Sequence, residues 1–309
     1  MFRKVIEIWI LSAVISSCAM ASEKAAPVAQ PIAKLTAAEI ADRNVAARGG
    51  LQAWRSVQAM TMTGKMEAGG NRRSTLAIPG RKDGHYMPPP RPAEQVRLPF
   101  VMDLKRPRKE RIEIDFNNQT AIQVYDGNTG WKLRPFLNRR EVEPYTEEEM
   151  KSASVQFDLD GPLVDYAAKG TTIELAGTEK IEGHDTYKLK LTMKNGRTTN
   201  LWIDSATFLD VKIEGIPRRL DGKYHQVEIY YRDFHTASGL KIPFVLETRV
   251  LNLKTAPGSA PLPTASEQIT VEKVEVNPKL PDELFLKADL DAAATAKPGV
   301  AAASVKTVR

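Results

Sequence analysis

Apolar and polar residues alternate through much of this chain, most clearly between Leu163 and Ile213. Tyr187, Leu189, Leu191 and Met193 alternate with Lys188, Lys190, Thr192 and Lys194, the two-residue period of a strand wet on one face. Asn195-Gly196 supplies the left-handed backbone that a hairpin needs. A two-residue loop there pairs Leu189 with Trp202. A three-residue loop with a glycine bulge pairs Leu189 with Leu201 and Tyr187 with Ile203, and it matches the apolar pattern on both strands. The second register is therefore expected. Asp160-Gly161-Pro162 reads as the start of a short helix that carries Leu163, Val164 and Tyr166 and feeds the meander.

The same reading extends along the chain. Thr36 with Glu39, and Thr146 with Glu149, form capping boxes, so helices are expected up to Gly49-Gly50 and over Glu147–Ala153. Met60, Met62 and Met66 alternate with Thr61, Thr63 and Lys65 in a first strand. Ile112, Ile114 and Phe116 alternate with Arg111, Glu113 and Asp115 in a later one. In Ile269–Val276 the apolar phase switches between Val271 and Val274, which predicts a bulge. Counting gives about ten or eleven strands at meander spacing, with helices at the start and in the middle. The fold class is mainly β (α+β), and no repeat of about 20 to 50 residues points to a solenoid.

The ends read differently. Residues 1–21 form an export signal: the basic Met1-Phe2-Arg3-Lys4 precedes an apolar run, Ile8 to Ile15, too short to span a bilayer. Ile15-Ser16-Ser17-Cys18 resembles a lipobox, whose cysteine is acylated, whereas Ala19-Met20-Ala21 suits ordinary cleavage before Ser22. Acylation of Cys18 implies an anchor in the outer membrane, and cleavage before Ser22 implies a free periplasmic protein. Residues 22–35 are a flexible Ala/Pro-rich linker, 36–286 a single domain, and 287–309 a disordered Ala/Lys-rich tail. Gly69 to Ala93 is a long exposed basic loop, rich in Pro.

Composition narrows the function more by exclusion. The 309 residues are 42% apolar, enough for a core, and the net charge is +6. That charge suits solubility or an anionic surface, but no basic run with interleaved aromatics points to nucleic acid. One cysteine excludes a disulfide framework within the chain. His85, His184, His225 and His235 lack metal-ligand spacing, and Asp158-x-Asp160-Gly161 lacks the rest of a calcium loop. No nucleophile elbow and no phosphate-binding glycine loop is present. The expectation is a non-enzyme without metal or cofactor.

The order of motifs is that of a family. Ala47-Arg48-Gly49-Gly50-Leu51, Met62-Thr63-Gly64-Lys65-Met66, Lys105-Arg106-Pro107 and Val124-Tyr125-Asp126-Gly127-Asn128-Thr129-Gly130-Trp131 come first. Asp160-Gly161-Pro162-Leu163-Val164-Asp165-Tyr166, Lys188-Leu189-Lys190-Leu191, Ile203-Asp204, Asn277-Pro278 and Leu284-Phe285 follow. In combination the chain resembles the bacterial outer-membrane lipoprotein-sorting proteins, the LolA/LolB-like superfamily with its RseB-type sensor domains, over about Ala37 to Phe285. The basic insertion and the greater length depart from the small soluble carriers. The resemblance implies a curved, incomplete antiparallel barrel with short lid helices on the concave face and an apolar cavity for acyl chains of lipids or lipoproteins. Its lining would be Met60, Met62, Met66, Ile112, Ile114, Phe157, Leu163, Tyr166, Leu189 and Leu191, with Phe157, Leu163 and Tyr166 on the lid. The alternative is that these residues are plain core. Carriage of lipid, and sensing through an envelope protein partner, are the two functions such a cavity serves.

Overall fold

The computed structural model describes residues 35–69, 95–135, 139–154, 158–220, 223–251 and 265–295. The expected export signal with Cys18, the expected linker through residue 34, the basic insertion at 70–94, Phe157 and residues 296–309 lie outside them.

The chain begins with helices α1 (Ala37–Ala47) and α2 (Leu51–Ser56). Strands β1 (Ala59–Gly69), β2 (Gln95–Lys105), β3 (Lys109–Phe116), β4 (Gln119–Tyr125), β5 (Gly130–Arg134) and β6 (Arg139–Pro144) follow. After helix α3 (Glu147–Ser154) come β7 (Thr172–Ile181), β8 (His184–Thr192), β9 (Thr198–Asp204) and β10 (Asp210–Glu214). A small hairpin, β11 (Arg218–Leu220) with β12 (Lys223–His225), precedes the long strands β13 (Val227–Ala237), β14 (Leu240–Val250) and β15 (Ala265–Val276). A 3-10 turn at Asp282–Phe285 and helix α4 (Lys287–Thr295) close the described chain.

Thirteen of these strands form one antiparallel sheet in the order β6-β5-β4-β3-β2-β1-β15-β14-β13-β10-β9-β8-β7. It is open: β6 and β7 are its edges, and it does not close into a barrel. The expected hairpin register is the observed one, with Leu189 opposite Leu201 and Tyr187 opposite Ile203. Gly196 takes φ +80° there, the backbone region a glycine enters without steric cost. The bulge read from the phase of β15 is also present. Thr63 faces Lys273 while Gly64 faces Val271, so Glu272 is the extra residue. Both capping boxes form, Thr36 with Glu39 and Thr146 with Glu149.

Two expectations are corrected. The segment after Asp160 is a run of turns and not a helix. Asp165 takes φ +51°, outside the helical region, and Arg55 grips its carboxylate with two hydrogen bonds of 2.9 and 2.6 Å. A tertiary ion pair thus fixes a conformation that local helix-start chemistry does not specify. The tail is not disordered from residue 287 onward, because Lys287–Thr295 is helix α4. Its Leu290 is fully buried against Ile122, Val124 and Leu133.

Strand pairing assigns the faces. Register partners share a face, so Met60, Met62, Phe100, Met102, Leu104, Ile112 and Ile114 lie together, and Ile122, Val124 and Leu133 lie opposite. Helix α4 therefore covers the second face, although the motif order implies short helices on one face only. Helices α1 and α3 cover the first. From α1, Asn44 donates to the Phe208 carbonyl at 2.8 Å and to Asp210 at 3.1 Å, and Arg43 lies over the Phe208 ring, which stacks on Tyr187. Glu149 of α3 pairs with Lys132, the register partner of Gln123 on the first face.

Candidate functional site: an apolar trough

From β3 to β8 the sheet's first face is mainly apolar but unevenly covered. On β8 and β9, Tyr187, Leu189, Leu191, Leu201 and Ile203 are each at most 2% exposed. In the middle of the sheet the cover thins. Met62 faces Met102 on β2 and Val274 on β15, Met102 faces Ile112, and all four are half-buried. In the next row Gly64 faces Phe100 and Val271, and Phe100 faces the half-buried Ile114. Met66 faces Leu98 and Ile269, and Ile269 faces Leu246, each half-buried as well. The result is a strip of methionine and branched aliphatic side chains running across five strands and partly open. Methionine is unbranched and polarisable, so a strip built on it adapts its shape to what it touches.

The expected lining residues divide into two groups. Met60, Leu163, Leu189 and Leu191 are core, each at most 1% exposed. Met62, Met66, Ile112, Ile114 and Tyr166 are half-buried, and the first four share the trough. Met102, Val274, Ile269 and Leu246 join them through pairings that alternation alone does not reveal.

The turn segment after Asp158 is held by charge. Asp160, 2% exposed, accepts from Arg106 at 2.6 Å and from Lys169 at 2.5 Å. Its carbonyl accepts from Arg48, whose guanidinium lies 4.6 Å from the Trp54 ring centre. Arg48 also approaches Asp210 at 3.6 Å. Burial pushes the Asp210 carboxyl up, against the opposing pull of Arg48 and the hydrogen bond from Asn44. Arg48, Arg106 and Asp160 come from three separate motifs of the sequence and meet in one node. Asn277 plays a comparable part at the joint between α2 and β1. Its side-chain oxygen accepts from the amides of Gln58 and Ala59, and its amide donates to the Ser56 carbonyl.

Among the described residues, no three of His, Cys, Asp and Glu come together in a way that holds a metal ion. None of the described helices is long and apolar enough to cross a membrane.

No protein-family model and no curated protein matches the chain. Solved structures do match. A LolA superfamily protein from Nitrosomonas europaea is 14% identical, with 82% of this chain and 99% of that one covered and a TM-score of 0.48. A DUF1329 family protein from Desulfovibrio piger has the same identity and score, with 82% and 98% covered. The lipoprotein LppX of Mycobacterium tuberculosis is 10% identical, with 79% and 98% covered and a TM-score of 0.31. The LolA superfamily is among the folds this chain is similar to. At these identities and scores the likeness assigns no ligand and no partner.

Proposed function

We propose that this is an exported cell-envelope protein that holds an acyl chain of a lipid or lipoprotein in the trough, as part of lipid or lipoprotein sorting to the outer membrane. The observation that carries the reading is the half-open Met62–Met102–Ile112–Val274 row on a sheet face that is fully covered at β8 and β9. An acyl chain laid there removes apolar surface from water on both partners, at about 25 cal/mol per Å². Cys18, if acylated, tethers the carrier to the membrane it serves, through residues 22–35.

The test is direct. Protein purified from an envelope fraction under gentle conditions should carry lipid identifiable by mass spectrometry. Met62→Lys should abolish uptake of a fluorescent fatty acid while unfolding stays cooperative, because position 62 is only half-buried. Wild-type protein without bound lipid and without uptake would refute the proposal. Labelled palmitate should enter the protein in cells and be lost in Cys18→Ala. A mature N-terminus at Ser22 without label would make the protein free in the periplasm.

A further inference from the structure

The sequence places a carboxylate in the apolar phase of β3. Glu110 shares parity with Ile112 and Ile114, and in the sheet it sits on the trough face between Leu104 and Tyr125. It is half-buried, and among the described residues it has no hydrogen-bond or ion-pair partner. An ionised carboxylate in such a place is unfavourable unless something donates to it. Burial accordingly pushes its pKa up to about 7.

Glu110 lines a small cavity of ≈ 30 Å³ with Leu104, Tyr125, Ala153, Asp158 and Leu159. That is room for about one or two water-sized groups. Cations also line the cavity, but each is engaged elsewhere. Lys105 and Lys109 reach Asp282 at 2.6 and 3.0 Å, and Arg108 donates to the carbonyls of Ala153 and Ser154 at the end of α3. Asp158 also lines the cavity: its Oδ1 is buried without a hydrogen-bond partner, while its Oδ2 lies 3.8 Å from the Arg106 guanidinium. Two residues with an unused carboxylate oxygen therefore line one water-sized space, and Glu110 is one same-face step from Ile112.

We propose that this cavity receives the polar end of the amphiphile whose chain lies in the trough, and that this end is a primary ammonium group. The inference rests on the trough being an acyl-chain site. An ammonium is about the size of a water, brings three donors and no acceptor, and answers both carboxylates at once. A carboxylate or phosphate end brings only acceptors and leaves the free oxygens of Glu110 and Asp158 without a donor. The pair is thus a specificity device that discriminates headgroups while the trough reads chain length and flexibility.

The experiment compares dodecylammonium with dodecanoate, both below their micelle concentrations, in displacing a neutral fluorescent probe from the full-length protein. Dodecylammonium should displace it at about a tenfold lower concentration, the effect of one charge-assisted hydrogen bond. Glu110→Gln, nearly isosteric, should bring the ratio close to one without weakening the neutral probe, and Asp158→Asn should lower it in part. Equal displacement by the two amphiphiles in the wild type, with the probe bound, overturns the headgroup assignment and leaves the trough standing. Failure of the probe itself to bind overturns the trough reading and this assignment together. A preference for dodecylammonium that survives Glu110→Gln also refutes the assignment, because the selectivity then lies elsewhere.

Discussion

The bulge between β1 and β15 makes Gly64→Ala a sharp test of how the trough is built. A Cβ added at Gly64 meets the Thr270 carbonyl oxygen at 2.0 Å and the Val271 Cα at 2.9 Å. Both are backbone atoms of the paired strand, so no rotamer change relieves the clash. An ordinary carbon-to-carbonyl contact lies at about 3.3 Å, so the strands must separate locally by roughly 1.3 Å. A ladder hydrogen bond stretched by that amount falls outside bonding geometry. Losing two such bonds costs about 2 kcal/mol, and the displaced apolar contacts on either side add about another 1 kcal/mol. The expected destabilisation is therefore about 3 kcal/mol. Urea unfolding of both proteins, followed by circular dichroism, measures it through the shift in midpoint at constant slope. The same variant should weaken acyl-chain uptake, because Met62 and Val274 move apart with the strands. A loss below about 0.5 kcal/mol would show that the strands yield freely here, and the account of the bulge as a tight crossing would be wrong.

Other positions give independent checks. Leu189→Ala, at a site 0% exposed, should cost about 2–5 kcal/mol, whereas Met62→Ala in the half-open trough should cost well under that and show mainly in ligand uptake. Equal losses of stability would erase the distinction between core and trough. Asp160→Asn leaves Arg106 and Lys169 without their buried carboxylate and should cost about 3 kcal/mol in the same urea assay. An unchanged midpoint would remove the node at the turn segment. The Glu182 carboxyl is held down to about 2 by the hydrogen bonds from Arg232 and Arg249, against burial. A depressed carboxyl stabilises the fold above its unfolded pKa near 4.5, and this is lost as pH falls through about 2. With the side chain 38% exposed, screening reduces the effect to about 1 kcal/mol. Stability measured between pH 5 and about 2 should show this loss, and Glu182→Gln should flatten that part of the profile.

How much was legible depended on the distance over which each feature is decided. The β8–β9 register is set by residues within a few positions of Asn195-Gly196, and the local pattern determines it. The β15 bulge shows in the phase of its own strand. The trough is different. Met62 meets Val274 across strands from opposite ends of the domain, and alternation states only that each has an apolar neighbour of some kind. The docking of α4 is equally remote, since a weakly amphipathic Ala-rich helix is fixed by one leucine in a pocket formed by β4 and β5. Asp160-Gly161-Pro162 carries helix-start chemistry, but Arg55 and the left-handed Asp165 override it. Glu110 did leave a mark in the sequence, as a carboxylate at an apolar position of β3, though its significance needs the neighbours that surround it.

The pairing of β1 with β15 divides the sheet into two meanders, β2 to β6 on one side and β14 to β7 on the other. Each meander consists largely of hairpins between successive strands, which close quickly because little chain entropy is lost. The β1–β15 seam joins residues from opposite ends of the domain and is the slow step by the same reasoning. The trough straddles that seam, with Met62 on one side and Val274 on the other. On the proposed function, an acyl chain can occupy the trough only after both halves have met, so loading would report completed folding. The bound chain in turn bridges the two meanders and should slow amide exchange along β1 and β15 more than at the β6 and β7 edges.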